Sequence, residues 1–159
     1  MREKQFSSHE KKMNKTFKTI YRNYFLNEIA VDEEDVIGLV EPIQIQDIGE
    51  VQSKVDSGNG AYNVIHGDII DKRGDFIIVK TVNGKKLKKK VVDKVIIHIG
   101  SGNKEERPVV LFDIIFDNKK YKDVPFSIAD RSENEYPVLI GKDFVSKIDK
   151  LIDVDKEES

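Results

Sequence analysis

Asp56-Ser57-Gly58 is the tripeptide in this chain whose residue types and order can do chemistry. It follows a stretch in which Val51, Ser53 and Val55 alternate with polar residues, as in a half-buried strand. It opens a dense cluster of turn formers, Ser57-Gly58-Asn59-Gly60. A turn at the end of a strand lifts a carboxylate out of the sheet and exposes it in a cleft. A small hydroxyl residue beside it can hydrogen-bond across the loop, and glycine lets backbone approach closely. One such carboxylate cannot hydrolyse a peptide bond, but two placed together can. Like charges at contact distance cannot both ionise, so the pair shares a proton and its pKa values split. The ionised member acts as base toward water, and the protonated member polarises the scissile carbonyl. Taken alone, the tripeptide fits an ordinary turn better than a catalytic one, so the surrounding elements have to decide.

Those elements read as mainly β. After Glu41-Pro42 the pattern turns to strands. A short segment from Tyr62 to His66 follows the turn, and Phe76-Ile77-Ile78-Val79 is a strand-like run. Asn83-Gly84 lies just beyond it, and Asn-Gly between β-prone runs is the strongest short hairpin signal. Val91-Val92 and Val95-Ile96-Ile97 continue the return strand or start another. Gly100-Ser101-Gly102-Asn103 is a further turn, Val109 to Phe116 a strand, and Asp117-Asn118-Lys119-Lys120 a hairpin turn. Val124, Phe126 and Ile128 alternate as a half-buried strand requires. Val138-Leu139-Ile140 is a short buried strand ending at Gly141, and Asp143 to Leu151 a short helix with Phe144, Ile148 and Leu151 on one face. Before all of this, Met13, Phe17, Ile20, Tyr21 and Tyr24 recur at helical spacing. The expected organisation is an N-terminal helical extension and linker over 1–40, a β domain over 41–152 and an acidic tail over 153–159.

Composition narrows the chemistry. The chain has 159 residues, enough for one core plus an extension. Charged residues make up 35% and the hydrophobic set 38%, the balance of a modest core under a heavily solvated surface. A formal charge of −2 gives no global pull toward nucleic acid or anionic membrane. The absence of cysteine excludes disulfide frameworks, thiolate zinc sites and a cysteine nucleophile. No apolar run approaches the length of a membrane span, and the polar N-terminus lacks the apolar core of a secretory signal, so a cytoplasmic address is expected.

Val138-Leu139-Ile140-Gly141-Lys142-Asp143-Phe144 resembles the apolar-apolar-Gly strand and helix that follow the catalytic turn in retropepsins. Lys54-Val55-Asp56-Ser57-Gly58, His66, Arg107-Pro108-Val109, Asp130-Arg131-Ser132 and Tyr136-Pro137-Val138-Leu139-Ile140-Gly141 together resemble the RimK-associated "ATP-dependent zinc proteases", a retropepsin-like family despite that label. The resemblance covers roughly residues 45–150. It implies a closed acid-protease β-barrel and a homodimeric aspartic peptidase with Asp56 catalytic. Ser57 would support the carboxylate and Gly58 would allow the turn. With a single Asp-Ser/Thr-Gly in the chain, the dyad needs a twofold axis between two Asp56 side chains. The hairpin at Asn83 and Gly84 takes the place of the flap. Asn59, Gly60, Ala61 and Arg131 are candidates for lining the substrate groove, and Arg131 can equally pair with a carboxylate inside the fold or across the dimer. Some members trim glutamate residues added to a ribosomal protein, which makes an acidic peptide tail a candidate substrate. Two features depart from the family pattern. Serine replaces threonine in the tripeptide. The family's usual Ala-Arg-Thr-Ser-Ala-Leu-His is here Asn59-Gly60-Ala61-Tyr62-Asn63-Val64-Ile65-His66, one residue longer and without the arginine.

Rival chemistries fare less well. His9, His66 and His98 are the only histidines; His66-Gly67-Asp68 offers two metal ligands with no evident third, so no metal is expected. There is no phosphate-cradling Gly-x-x-x-x-Gly-Lys loop, so no nucleotide is expected either. Lys85, Lys86, Lys88, Lys89 and Lys90 read first as a solvated strand edge, and second as a charged patch that steers an acidic peptide. No aromatic residue interleaves with them, which argues against a nucleic-acid platform. The alternatives to an aspartic peptidase are a non-catalytic dimeric β-barrel binding module and a zinc-dependent peptidase using His66.

Overall fold

The computed structural model describes residues 35–156. The helical stripe from Met13 to Tyr24 and His9 lie outside the described residues. The elements in chain order are β1 (Val36–Ile37), β2 (Val40–Ile45), β3 (Gly49–Asp56), β4 (Asn63–Arg73), β5 (Phe76–Thr81), β6 (Lys86–Lys90), β7 (Asp93–His98), β8 (Lys104–Phe116), β9 (Lys119–Ala129), β10 (Val138–Gly141), α1 (Lys142–Lys147) and β11 (Leu151–Ile152).

Six strands form a closed barrel in the order β10-β3-β2-β8-β9-β4, and the β4–β10 pairing completes the ring. Most pairings are antiparallel; β3 with β10 and β4 with β9 are parallel. The period-two pattern of the strands sends one face of each inward. Ile43, Val55, Val110, Phe116, Phe126 and Ile140 are each at most 1% exposed. Full burial of such a side chain stabilises by about 1.5–3 kcal/mol. Phe144 of α1 meets Phe116 and Tyr121 edge-to-face at 5.7 and 5.2 Å, which docks the helix on the barrel. Asp117 and Asn118 both take positive φ, the conformation that a tight two-residue hairpin between β8 and β9 demands.

Several expectations need correction. The helix ends at Lys147, because the Ile148 and Asp149 amides turn back to Phe144 and Ser146 and Asp149 takes a positive φ. Leu151 therefore leaves the helix and pairs with Val36 in the parallel β1–β11 ladder. The strands begin at Val36 rather than after residue 41. The tail does not simply fray after residue 152: the Asp153 amide donates to the Ile37 carbonyl at 2.8 Å and the Lys156 ammonium to the Val36 carbonyl at 2.6 Å. The segment after the Asp56 turn is an eleven-residue strand, not a five-residue one. A bulge between Ile69 and Asp71 bends its second half away from the barrel, where β5 and β6 join it. The lysine run itself is the return strand β6, and Val91-Val92 lie beyond it. No helix among the described residues is long and apolar enough to cross a membrane.

Candidate active site

Asp56 is the last residue of β3, half-buried at the rim of the barrel. Two neighbours fix the strand end. Val55 sits inside the core, and β10 runs parallel alongside with Ile140 opposite Val55 and Gly141 opposite Asp56. The chain then turns at once. The Asp56 carbonyl accepts the Asn59 amide at 3.1 Å, and its Oδ1 accepts the Gly58 amide at 2.9 Å. A Cβ on Gly58 would stand 3.2 Å from that oxygen. One carboxylate oxygen is thus held by the backbone. Oδ2 has no hydrogen-bond partner among the described residues.

The junction with β10 explains the apolar-apolar-Gly pattern. A side chain at Gly141 would meet the Asn59 carbonyl oxygen at 2.9 Å and the Ala61 carbonyl oxygen at 3.1 Å, both immovable backbone. Only glycine lets the turn after Asp56 lie against β10. The Gly141 amide donates to Asn63 Oδ1 at 2.8 Å, and the Lys142 amide donates to the Asn59 carbonyl at 3.0 Å. Asn63 is 4% exposed and is a positioning residue that sequence reasoning missed. Its only signal is a polar side chain heading the apolar pair Val64-Ile65.

The other expected site residues divide into two groups. Ser57, Gly60 and Ala61 are exposed beside Asp56. Asn59 turns inward on its own loop, accepting from the Ala61 amide at 3.1 Å and donating to the Tyr62 carbonyl at 3.2 Å. Arg131 belongs to the loop before β10. Its backbone amide donates to His66 Nδ1 at 2.9 Å and its guanidinium Nε to the Tyr136 carbonyl at 3.0 Å. Burial, with the nearby Arg107 charge second, pulls the Arg131 pKa down from its usual value. The guanidinium bond goes to a backbone carbonyl within the same loop rather than to a carboxylate.

Asn83 and Gly84 are not brought to Asp56. Asn83 Nδ2 donates to the Ile48 carbonyl at 2.7 Å, which pins the β5–β6 turn to the β2–β3 turn. That turn leads into Gly49, the far end of β3. An extended strand of this length holds its two ends roughly 20 Å apart. Within one chain the Asn83-Gly84 turn therefore stands away from Asp56. The hairpin that does rise beside the Asp56 turn is β7–β8. Its root is tied to the loop after Asp56 by a 2.5 Å bond from the Tyr62 hydroxyl to Asp93 Oδ2. The bond lowers the Asp93 pKa and raises that of Tyr62. From Pro108 to its tip at Gly100-Ser101-Gly102 this ribbon, among the described residues, pairs only with itself.

Asp56 lines neither of the two principal cavities. One, of about 640 Å³, lies between the β2–β3 turn, Lys85 and the Lys120–Lys122 stretch. The other, of about 440 Å³, lies between Lys72–Asp75 and the base of β7–β8. A metal has one candidate position among the described residues. His66, Asp68 and Asp130 place a ligand atom each within 4.8 Å of one another. Asp130 supplies the third ligand that the sequence does not reveal. His66 Nδ1 and Asp130 Oδ1 already accept the Arg131 and Ser132 amides, so both side chains hold the loop as they stand.

A family model described as "Retropepsin-like aspartic endopeptidase RimB" matches residues 72–159, more than half of the chain. The chain belongs to the RimB-like family. The matched region begins after Asp56-Ser57-Gly58, so the assignment rests on β5 onward and not on the tripeptide. Among solved structures, the crystal structure of a Legionella pneumophila protein of unknown function (DUF785) is similar. It is 25% identical, with a TM-score of 0.61 over 78% of this chain and 96% of that one. No curated protein matches this chain. The family and the closed barrel agree on a retropepsin-like fold.

Proposed function

We propose that this RimB-like chain is one subunit of an aspartic endopeptidase whose dyad is made of Asp56 and its counterpart in a second copy. The observation that carries the reading is the Asp56 turn itself. A carboxylate stands at the rim of the barrel, one oxygen held by the Gly58 amide and its turn locked by β10 through Gly141, while its other oxygen has no hydrogen-bond partner among the described residues. Such a group is half of a site, and a twofold partner is what would complete it.

In the dimer the two Asp56 carboxylates share one proton. The ionised member takes a proton from water as the water oxygen bonds to the scissile carbonyl carbon. The protonated member donates to the carbonyl oxygen, giving a tetrahedral diol. A proton then passes to the amide nitrogen, the C–N bond breaks, and acid and amine leave with the dyad restored to one shared proton. The reaction needs no metal or nucleotide. In this reading the exposed Ser57 hydroxyl supports the carboxylates across the axis. The β7–β8 ribbon takes the role of the flap. Its exposed Ile96 and Ile99 offer apolar contact to substrate side chains.

The test is cleavage of a mixed peptide library by the wild-type chain and by Asp56→Asn, with EDTA and a pepstatin-type inhibitor as separate arms. Cleavage that survives EDTA and is lost in Asp56→Asn supports the reading. Cleavage lost in EDTA but kept in Asp56→Asn transfers the chemistry to a metal, with His66, Asp68 and Asp130 as the place to look. A dimer that binds peptides from the library without cutting them would point to a binding module.

A further inference from the structure

Among the described residues, β6 is the last strand of its sheet and pairs on one side only, with β5. The hydrogen bonds at the two ends of that ladder fix which residues use their backbone there. The Thr81 amide donates to the Lys85 carbonyl and the Val91 amide to the Asp75 carbonyl, both at 2.8 Å. In an antiparallel ladder the hydrogen-bonded pairs recur at every second residue. Lys85, Leu87, Lys89 and Val91 therefore spend their backbone groups on β5. Lys86, Lys88 and Lys90 turn theirs outward to the free edge.

The same three residues send exposed ammonium side chains to one face, opposite Lys80, Ile78 and Phe76 of β5 in register. Lys88 lies over the Phe76 ring at 4.7 Å. The intervening residues Leu87 and Lys89 point to the other face, where Lys89 covers the Phe112 ring at 4.3 Å and holds β6 down on β8. The edge thus repeats an outward amide, an outward carbonyl and a lysine side chain every second residue, about 6.8 Å apart.

We propose that β6 binds an acidic segment of a partner protein by antiparallel strand addition. A strand added to this edge places every second residue directly opposite Lys86, Lys88 and Lys90, on the same face, with Cβ atoms about 5.5 Å apart. Aspartate or glutamate at those alternate positions matches the lysines one for one. An uncharged strand would leave three ammonium groups crowded without partners, so the lysines that discourage promiscuous edge pairing also select the acidic partner. The surface lies on the β4–β5–β6 sheet, outside the Asp56 turn, and does not depend on proteolysis.

The experiment uses the full chain and a fluorescein-labelled Glu-Thr-Glu-Thr-Glu-Thr-Glu peptide, with Kd read by anisotropy at low salt. Repeating it with the Asp56→Asn chain separates binding from any cleavage. Methylating the backbone nitrogens of the glutamates, which face β6 in antiparallel pairing, should weaken binding by at least about tenfold. Methylating those of the threonines should leave it unchanged. The combined variant Lys86→Gln, Lys88→Gln and Lys90→Gln should lose at least about tenfold. Slow amide exchange at Leu87 and Lys89 in that variant reports that β6 is still formed. Peptide should slow exchange of the Lys86, Lys88 and Lys90 amides in the wild type. Any other methylation pattern, or an oligonucleotide of equal charge bound as tightly as the peptide, would overturn the proposal in favour of a general polyanion patch.

Discussion

Two hairpins leave this barrel, and they differ in what lies beneath them. β5–β6 is fastened along its length. Ile77 and Val79 are buried, Lys89 caps Phe112, and Asn83 at the turn bonds to the Ile48 carbonyl, the Lys85 amide and the Thr81 hydroxyl. Among the described residues, β7–β8 is fastened at its root, through the Tyr62–Asp93 bond and the pairing of Val109 with β9. No residue from Asp93 to Arg107 is buried. A ribbon with few buried contacts opens at low free-energy cost, whereas a packed one opens only with its sheet. An Asn-Gly signal finds the tightest turn. It carries no information about which hairpin is free to move over a site.

Swapping changes between the two hairpins breaks or sharpens this contrast. The largest effect belongs to the β7–β8 tip. Removing Gly100, Ser101 and Gly102 should reduce kcat/KM for a cleaved peptide by about 100-fold or more while Tm moves by no more than a few degrees. An equal loss of activity on replacing Asn83 and Gly84 would reverse the assignment of the two ribbons. Next comes Asn83→Ala, which deprives the Ile48 carbonyl and the Lys85 amide of their partner. It should cost about 1–2 kcal/mol in urea unfolding and leave kcat/KM within about twofold of wild type.

The smallest effect is expected of Tyr62→Phe. Loss of the hydroxyl loosens the β7–β8 root and should lower kcat/KM by about threefold. Its pH signature follows from the two shifted groups. The Tyr62 hydroxyl, with the Lys94 amide second, lowers the Asp93 pKa. That contribution is present above the ordinary aspartate value of about 3.9 and is lost as pH falls through the lowered folded value. The raised Tyr62 pKa acts at the other end. Its contribution is present below about pH 10 and is lost as pH rises through the folded value. The stability difference between wild type and Tyr62→Phe should be flat between those limits and shrink beyond both. A difference that varies across neutral pH would contradict the Tyr62–Asp93 link.

What could be read from the sequence follows the range of each interaction. Val51, Ser53 and Val55 announce β3 by alternation, Asp56 to Gly60 announce the turn by residue type, and Val138 to Gly141 announce β10; all three are local patterns. The extent of the lysine strand is hard to read because Lys86-Leu87-Lys88-Lys89-Lys90 shows no apolar alternation. It forms because β5 supplies the ladder and the Phe76 and Phe112 rings cover two of the lysines. Asn63 bonds to Gly141 across 78 residues, and His66 meets Arg131 across 65. Neither pairing leaves a trace in spacing.

The most direct test of the shared dyad is activity in mixed dimers. Wild-type and Asp56→Asn chains, differing in one side chain, are co-refolded at varying ratios and assayed on a cleaved peptide. If each site needs Asp56 from both copies, every mixed dimer is inactive and activity falls as the square of the wild-type fraction. Equal mixing then leaves about a quarter of the wild-type rate by the symmetry of a twofold interface. A linear decline, with about half the rate left at equal mixing, would mean that each chain works alone and would contradict the dyad.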